Sequence, residues 1–225
     1  MKYEWDFGIV LNYANLLLDG GMATIFLVAS SLAVALPLGL LLCVARMSRI
    51  PVLSWLAIAY IEVFRSSAIF VLLIWFYFAF PILINADLSP FQSATLAIGL
   101  QAASYFAEVF RAGIQSIHAG QWDAARSIGL PYPRSMLYII LPQAIRRMIP
   151  VFLSRIIELI KATSLASAIS YAELVAEANQ IASVTYRPIE TFSILAAIYF
   201  VTLFTLSQFT RKLENHLSRS DSVSA

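Results

Sequence analysis

The chain has 225 residues, of which 60% are hydrophobic and 12% are charged, and its mean hydropathy is +0.79. One soluble core of this length cannot hide so much apolar surface, so the composition excludes an ordinary soluble domain and predicts a membrane protein. The net charge of +2 says little by itself, and we expect no nucleic-acid partner.

Residues 1–20 are predicted to form a short amphipathic lead-in on the outer surface, and not a cleavable signal peptide. They carry Glu4, Asp6 and Asp19 and lack a basic segment followed directly by an apolar core. Aromatic side chains at positions 3, 5 and 13 suit the membrane interface. We expect Gly20-Gly21 to end the lead-in and the first span to occupy 20–46.

Five transmembrane helices are predicted within one domain, residues 1–225, whose core is 20–212. They correspond to the uncharged runs at 22–45, 66–86 and 191–210, the more polar run at 88–107, and the charge-interrupted run at 135–163. The alternative for the run at 135–163 is an amphipathic helix lying on the membrane. A true span is favoured because its apolar residues surround the charges instead of forming one stripe.

Two further segments lie outside the predicted spans. Residues 170–182, which contain Glu173 and Glu177, are predicted to form a short helix near the outer mouth. Residues 213–225 are predicted to be a flexible polar tail.

The placement of Lys and Arg predicts an orientation with the N-terminus outside and the C-terminus inside. With five alternating spans, nine basic residues fall in cytoplasmic segments, and only Lys2 and Arg187 lie outside. Such a bias in short loops determines the topology of a membrane protein.

No catalytic or metal-binding group is expected in the chain. Cys43 is the only cysteine, and His118 and His216 lack the spacing of metal ligands. The sequence contains no glycine-rich phosphate loop. We therefore expect no cofactor in this chain and, if ATP is used, another subunit that binds it.

The polar segment at 121–150, QWDAARSIGLPYPRSMLYIILPQAIRRMIP, interrupts the membrane-like sequence. Its Asp-Ala-Ala run, its glycine at 129 and its Ile-Leu-Pro triplet at 140–142 resemble the "EAA" loop of ABC importer permeases. In that family the loop forms a short coupling helix that docks on an ATPase subunit. The resemblance implies a cytoplasmic coupling loop at 116–135, in which the ATPase-coupling residues are Asp123, Ala124, Ala125, Gly129 and Leu130.

The physical chemistry of this loop is compatible with that role. A helix at 121–128 would place Asp123 near its N-terminus, where the helix dipole stabilises a carboxylate by roughly 0.3–1 kcal/mol. Ala124 and Ala125 allow close approach of a partner, and Gly129 permits a left-handed backbone at the helix end. A plain surface helix with a glycine cap would explain each residue singly, but not the extended motif.

The resemblance covers about 20–208, and the sequence EVFRAGIQSI at 108–117 is typical of the polar amino acid branch of the family. It implies the all-α type I importer permease fold in the lipid bilayer of the bacterial inner membrane. It also implies a second permease subunit, identical or paralogous, two ATPase subunits that bind ATP and Mg, and a periplasmic amino-acid-binding protein. Ser67-Ala68 stand where relatives commonly have Thr-Pro or Ile-Pro, which leaves open whether the second helix bends here.

Charged residues in or beside apolar helices form a second candidate site. Each would cost several kcal/mol facing lipid, so we expect them to face the interior, a water cavity or one another. Glu158 and Lys161 lie three apart, and Glu62 and Arg65 repeat this spacing. The functional interpretation is a polar substrate pathway, and the alternative is two intrahelical ion pairs or charges at the headgroup level. The predicted pathway residues are Glu62, Arg65, Ser154, Glu158, Lys161, Thr163 and Ser164.

Three of these assignments, Lys161, Thr163 and Ser164, also rest on the family resemblance. The sequence KATSL at 161–165 resembles the family's Lys-Asp-Thr-Ser-Leu, at the outer end of the helix that lines the pathway. Glu108 and Arg111, by contrast, are expected to form a structural pair that holds the third helix to the coupling loop.

The predicted pocket holds three basic groups, counting Arg155, against two acidic ones, which favours an acidic amino acid as the substrate and a broad polar specificity as the second choice. A secondary, ion-coupled transporter or a channel subunit for small polar solutes is the alternative function. Such a transporter usually has ten or more spans or an inverted repeat. An intramembrane enzyme would need a nucleophile and a base on facing helices, and no histidine lies in a predicted span.

Overall fold

The computed structural model describes residues 4–221, and all of the regular structure in that part of the chain is helical. The helices are α1 Phe7–Leu11, α2 Ala14–Arg46, α3 Pro51–Ser66, α4 Ile69–Ile84, α5 Pro90–Gln115, α6 Ala119–Ser127, α7 Tyr132–Ile169, α8 Leu174–Thr185 and α9 Pro188–Asp221. α4 contains a π-helical turn at Trp75–Ala79, and α7 contains one at Met136–Ile140 and ends in a 3₁₀ turn at Ser164–Ile169.

Three of these helices, α2, α7 and α9, are long and apolar enough to cross a membrane. α3 and α4 make a fourth span if they are taken as one, although their axes differ by 103°. α5 has 26 residues but is less apolar, and it falls outside this set. The count of five spans therefore stays a prediction.

α5 lies at the centre of the bundle, where it packs against α2, α3, α4 and α7. Its contact with α2 depends on small residues, which let two helices approach closely in a membrane. A Cβ added to Gly39 would lie 3.0 Å from the carbonyl oxygen of Ala103 and 3.0 Å from Cβ of Phe106. This close packing explains why α5 is the most deeply buried of the long helices.

The first span begins earlier than predicted, because α2 runs from Ala14 through Gly20-Gly21 without a break. The buried Gly20 does not end a helix; it allows another helix to pack closely against α2. A Cβ there would lie 2.9 Å from Cγ of Glu177 and 3.0 Å from Cα of Leu174, so the glycine lets the start of α8 rest on α2.

The short outer helix begins later than predicted. α8 starts at Leu174 because the Glu173 carboxylate caps it, accepting hydrogen bonds from the backbone N–H groups of Val175 at 2.9 Å and Ala176 at 3.0 Å. Ser170, at φ 60°, separates it from α7.

The last helix continues past the predicted start of the tail and remains helical to Asp221. Residues 222–225 lie outside the described part of the chain, as do residues 1–3, including Tyr3, for which an interface position was expected. Trp5 stacks on Phe7 with their ring centroids 5.6 Å apart.

Candidate functional site

The predicted coupling helix is present as α6, and its ends are set by side-chain and backbone hydrogen bonds. At its start, Nδ1 of His118 accepts a hydrogen bond from the N–H of Gly120 at 3.1 Å. At its end, the N–H of Gly129 donates to the Arg126 carbonyl at 2.9 Å, and the N–H of Leu130 donates to the Ala125 carbonyl at 3.1 Å. This pair of bonds is the Schellman motif, and Gly129 adopts the left-handed φ of +74° that it requires. The predicted left-handed glycine is therefore confirmed.

The prediction for Asp123 at the helix start was wrong. α6 begins two residues earlier than expected because His118 provides the cap, so Asp123 lies in the middle of the helix. Its carboxylate pairs with Arg126 one turn further on, at 2.7 Å, and both side chains are largely exposed. An exposed pair of this kind contributes about 0.2–1 kcal/mol to stability, and both groups remain accessible to a partner.

The exposed face of α6 contains more than the predicted residues. Asp123, Ala124 and Gly129 are exposed, whereas Ala125 is fully buried and Leu130 is half-buried. Ile128 is 71% exposed at the tip of the helix, a position that the sequence pattern did not single out. An exposed isoleucine beside a small alanine and an ion pair is a suitable contact surface for another protein.

The coupling loop is joined to the bundle by contacts with α7. The guanidinium of Arg147 donates to the Ser116 carbonyl at 2.5 Å, and the Gln143 amide donates to the side-chain oxygen of Gln121 at 3.3 Å. Next to these bonds, a Cβ on Gly113 would clash with Met148, so α5 and α7 touch closely here. α7 therefore contacts both the end of α5 and the start of α6.

Glu108 is the centre of an ion-pair cluster at the same end of the bundle. It pairs with Arg111 at 2.8 Å, as predicted, and also with Arg46 of α2. The cluster ties α2 to α5, and neither arginine faces the pocket described next.

A polar pocket of about 170 Å³ lies between α5 and α7. Its polar lining comes from Gln101 and Tyr105 of α5 and from Arg155 and Glu158 of α7. The Arg155 guanidinium pairs with the Glu158 carboxylate at 2.5 Å and lies 5.0 Å from the Tyr105 ring centroid. Arg65 of α3 approaches the same ring at 5.9 Å. Cations interact favourably with an aromatic ring, so Tyr105 attracts arginines from two different helices.

Of the predicted pathway residues, Glu158 lines this pocket, and Arg65 lies beside it on the Tyr105 ring; both are exposed. The expected partner of Glu158 was wrong, because it pairs with Arg155 and not with Lys161, which is exposed. Glu62 is also exposed, and no ion pair joins it to Arg65 within residues 4–221.

The three predicted hydroxyl residues bond to their own helix. Ser154 donates to the Pro150 carbonyl at 3.1 Å, the buried Thr163 to Ile160 at 2.7 Å, and Ser164 to Lys161 at 2.7 Å. These bonds satisfy the hydroxyl protons locally and leave both acceptor lone pairs on each oxygen.

Glu173 forms a separate buried carboxylate at the end of the bundle remote from α6. It is fully buried, and this burial raises its pKa to about 7, although the two backbone N–H groups that it caps act in the opposite direction. Glu177, one turn along α8, raises the pKa of Glu173 further by charge repulsion. The sequence indicated a carboxylate here but not its burial.

An apolar helical bundle with a half-open pocket lined by Arg155 and Glu158, and with a small exposed helix on its flank, fits a membrane permease. The chain belongs to the family described as binding-protein-dependent transport system inner membrane component, whose model matches residues 35–218. It is therefore an inner membrane component of a transport system, and its fold is that of the type I ABC importer permeases, as the sequence predicted.

Similar proteins cover almost the whole chain. The arginine transport system permease protein ArtQ of Bacillus subtilis is 30% identical over 96% of this chain and 99% of its own length. The glutamate/aspartate import permease protein GltK of Escherichia coli is 34% identical over 91% of this chain and 95% of its own. A solved structure described as an amino acid ABC transporter with histidines is 33% identical, with a TM-score of 0.89, and covers 95% of this chain and 100% of its own.

Proposed function

We propose that this chain is the permease subunit of an ATP-driven importer of polar amino acids, with α6 as the element that couples it to an ATPase subunit. The observation that carries the proposal is the exposed helix closed by Gly129 and joined to α7 through Gln121 and Gln143, beside the bond from Arg147 of α7 to the end of α5 at Ser116. The same α7 carries Arg155 and Glu158 of the polar pocket, so one helix connects the proposed ATPase contact with the proposed substrate pathway.

The proposal includes the partners that the arrangement requires. Two ATPase subunits bind ATP and Mg, and one docks on the exposed face of α6. A second permease, identical or paralogous, pairs with this one, and a periplasmic binding protein delivers the substrate. Since α6 faces the ATPase, the N-terminus lies outside and the C-terminus inside.

The substrate pathway is proposed to run past the pocket between α5 and α7. Arg155 in the lining and Arg65 at the neighbouring Tyr105 ring supply two positive charges, and Glu158 supplies one negative charge. One basic group is therefore left to receive a carboxylate, and a charge-assisted bond to a guanidinium is strong and directional. This balance favours glutamate or aspartate. The similarity to a permease named for arginine keeps a broader polar specificity as the second possibility.

Reconstitution tests this function. The permease, its ATPase and its binding protein are placed in proteoliposomes, and uptake of glutamate, aspartate, arginine, histidine and leucine is measured with internal ATP. We expect saturable uptake of a polar amino acid that stops when ATP is replaced by a non-hydrolysable analogue. Uptake that persists without the ATPase and follows an ion gradient would instead indicate the ion-coupled alternative.

A further inference from the structure

The bend between α3 and α4, where the helix axes turn by 103°, lies near the polar pocket. Ser67 and Ala68, which connect the two helices, are both extended, with φ −78° and ψ 140° at Ser67 and φ −71° and ψ 126° at Ala68. A helix that ends here leaves its last carbonyl groups without intrahelical partners. Inside an apolar stretch, such groups must find other donors in the protein.

Gln101 and Tyr105 of α5 supply donors from across the bundle, while Ser67 bonds back to the Val63 carbonyl. The Tyr105 hydroxyl donates to the Arg65 carbonyl at 3.4 Å, at an exposed position. The side-chain amide nitrogen of Gln101 donates to the Phe64 carbonyl at 3.2 Å and to the Ser67 carbonyl at 2.7 Å, on the two sides of the bend. Gln101 is only 9% exposed, so water does not compete well for these bonds. Gln101 is thereby the buried link between the backbone of the bend and α5, and its two bonds are shorter than the exposed Tyr105 bond to Arg65.

The bend also places Arg65. This residue lies between the two carbonyl groups that Gln101 holds, and its guanidinium reaches the Tyr105 ring, one helical turn beyond Gln101 on α5. The other arginine on that ring is Arg155, whose charge is paired with Glu158. A bend that moved away from α5 would carry Arg65 away from the pocket.

We propose that Gln101 is a positioning residue. It fixes the bend between α3 and α4 against α5 and thereby keeps Arg65 beside Tyr105 at the polar pocket. The effect of Gln101 on substrate affinity rests on the proposed transport pathway. Its effect on the geometry of the bend is independent of that pathway.

The chain offers a rescue variant that separates this role from direct contact with substrate. Ala68 already has a φ of −71°, close to the value of proline, and Ser67 before it has the extended conformation that a following proline favours. The N–H of Ala68 donates to no atom in the described part of the chain, and its side chain is exposed. Ala68→Pro should therefore enforce the bend from the backbone alone.

The first measurement is an electron spin resonance distance across the bend. Spin labels replace the exposed Trp55 of α3 and Ile82 of α4 in a Cys43→Ser background, in the permease purified with its ATPase. We expect one narrow distance distribution in the otherwise unchanged protein, a broad or displaced one in Gln101→Leu, and a narrow one again in Gln101→Leu with Ala68→Pro. A label pair at Leu41 and Trp55, which does not cross the bend, should not respond.

The second measurement is binding of radiolabelled glutamate, aspartate and arginine to the same complexes without the binding protein. Loss of two hydrogen bonds lowers the fraction of molecules with a competent bend, so Gln101→Leu should weaken binding about tenfold, and Ala68→Pro should restore it to within about threefold. Gln208→Leu, the same change at a glutamine of α9, serves as the control and should have no effect.

Several results would overturn the proposal. An unchanged distance in Gln101→Leu, or a loss of binding that Ala68→Pro does not restore, would mean that Gln101 acts directly or not at all. A displaced bend with unchanged affinity would remove its link to the pocket. If Gln101→Leu alone does not insert, recovery of the double variant supports the proposal and failure of the double variant refutes it. If no amino acid binds even the unchanged complex while the bend still responds, the proposed pathway fails and the hold on the bend stands.

Discussion

Gly129→Val tests the proposed coupling helix at the residue where the free-energy cost of a substitution follows most directly from the structure. A Cβ added to Gly129 meets no atom within 4 Å, so steric clash with neighbours plays no part and only the backbone matters. At a φ of +74°, a residue with a Cβ costs about 1–2 kcal/mol, and a β-branched side chain lies at the upper end of that range. A cost of about 2 kcal/mol lowers the population of the correctly closed helix end about thirtyfold.

The assay is ATP-driven uptake in proteoliposomes together with co-purification of the ATPase. We expect Gly129→Val to insert normally, because the residue is exposed, and to lose about tenfold or more of transport and much of its bound ATPase. Gly129→Asn, which tolerates a left-handed backbone, should lose much less. Gly21→Val introduces the same side chain into open space on α2 and should have no effect. Normal transport and normal co-purification of Gly129→Val would refute the docking role of α6.

Three further predictions follow from the other sites. Burial raises the pKa of Glu173 to about 7, so the folded state holds this proton more tightly than the unfolded chain does. The free energy of unfolding should therefore be greatest below about pH 4.5 and decline by up to about 3 kcal/mol as the pH rises through 7. Glu173→Gln should flatten that decline in thermal unfolding of the detergent-purified protein. Glu158→Gln and Arg155→Met, at the two charged residues that line the pocket, should each change the ratio of glutamate to arginine uptake about threefold or more, in opposite directions, and unchanged ratios for both would show that these charges are structural. In a cysteine-free background, a cysteine at Asn12 should react with a membrane-impermeant reagent from outside and one at Gln121 only from inside, and external labelling of Gln121 would contradict both orientation and coupling.

Local sequence signals predicted the parts of the site that depend on local backbone. Gly129 was identified because a glycine after a short helix adopts a left-handed conformation whatever surrounds it. The start of the same helix was misplaced because it depends on the His118 side chain, a less common cap than Ser, Thr, Asp or Asn. The position of Asp123 was wrong for that reason alone.

Long-range contacts decided what the sequence left ambiguous. Glu158 has a basic residue three positions before it and another three positions after it, so spacing alone permits a pair with either Arg155 or Lys161. Arg155 is held in place by Tyr105, a residue of another helix, and it therefore forms the pair. Likewise, the bend at Ser67-Ala68 occurs without proline, and Gln101 donates to two of its carbonyl groups from across the bundle. Neither contact leaves a local trace in the sequence.

Site-specific photo-crosslinking at Ile128 tests the central claim, that α6 is the contact with the ATPase, most directly. This side chain is 71% exposed at the tip of the helix, and a photoreactive amino acid there should be tolerated by the fold. In the assembled transporter we predict a crosslink to the ATPase subunit that a probe at the exposed Ile25 of α2 does not form. Absence of an ATPase adduct from position 128 in a complex that transports normally, or equal adducts from both positions, would contradict the account.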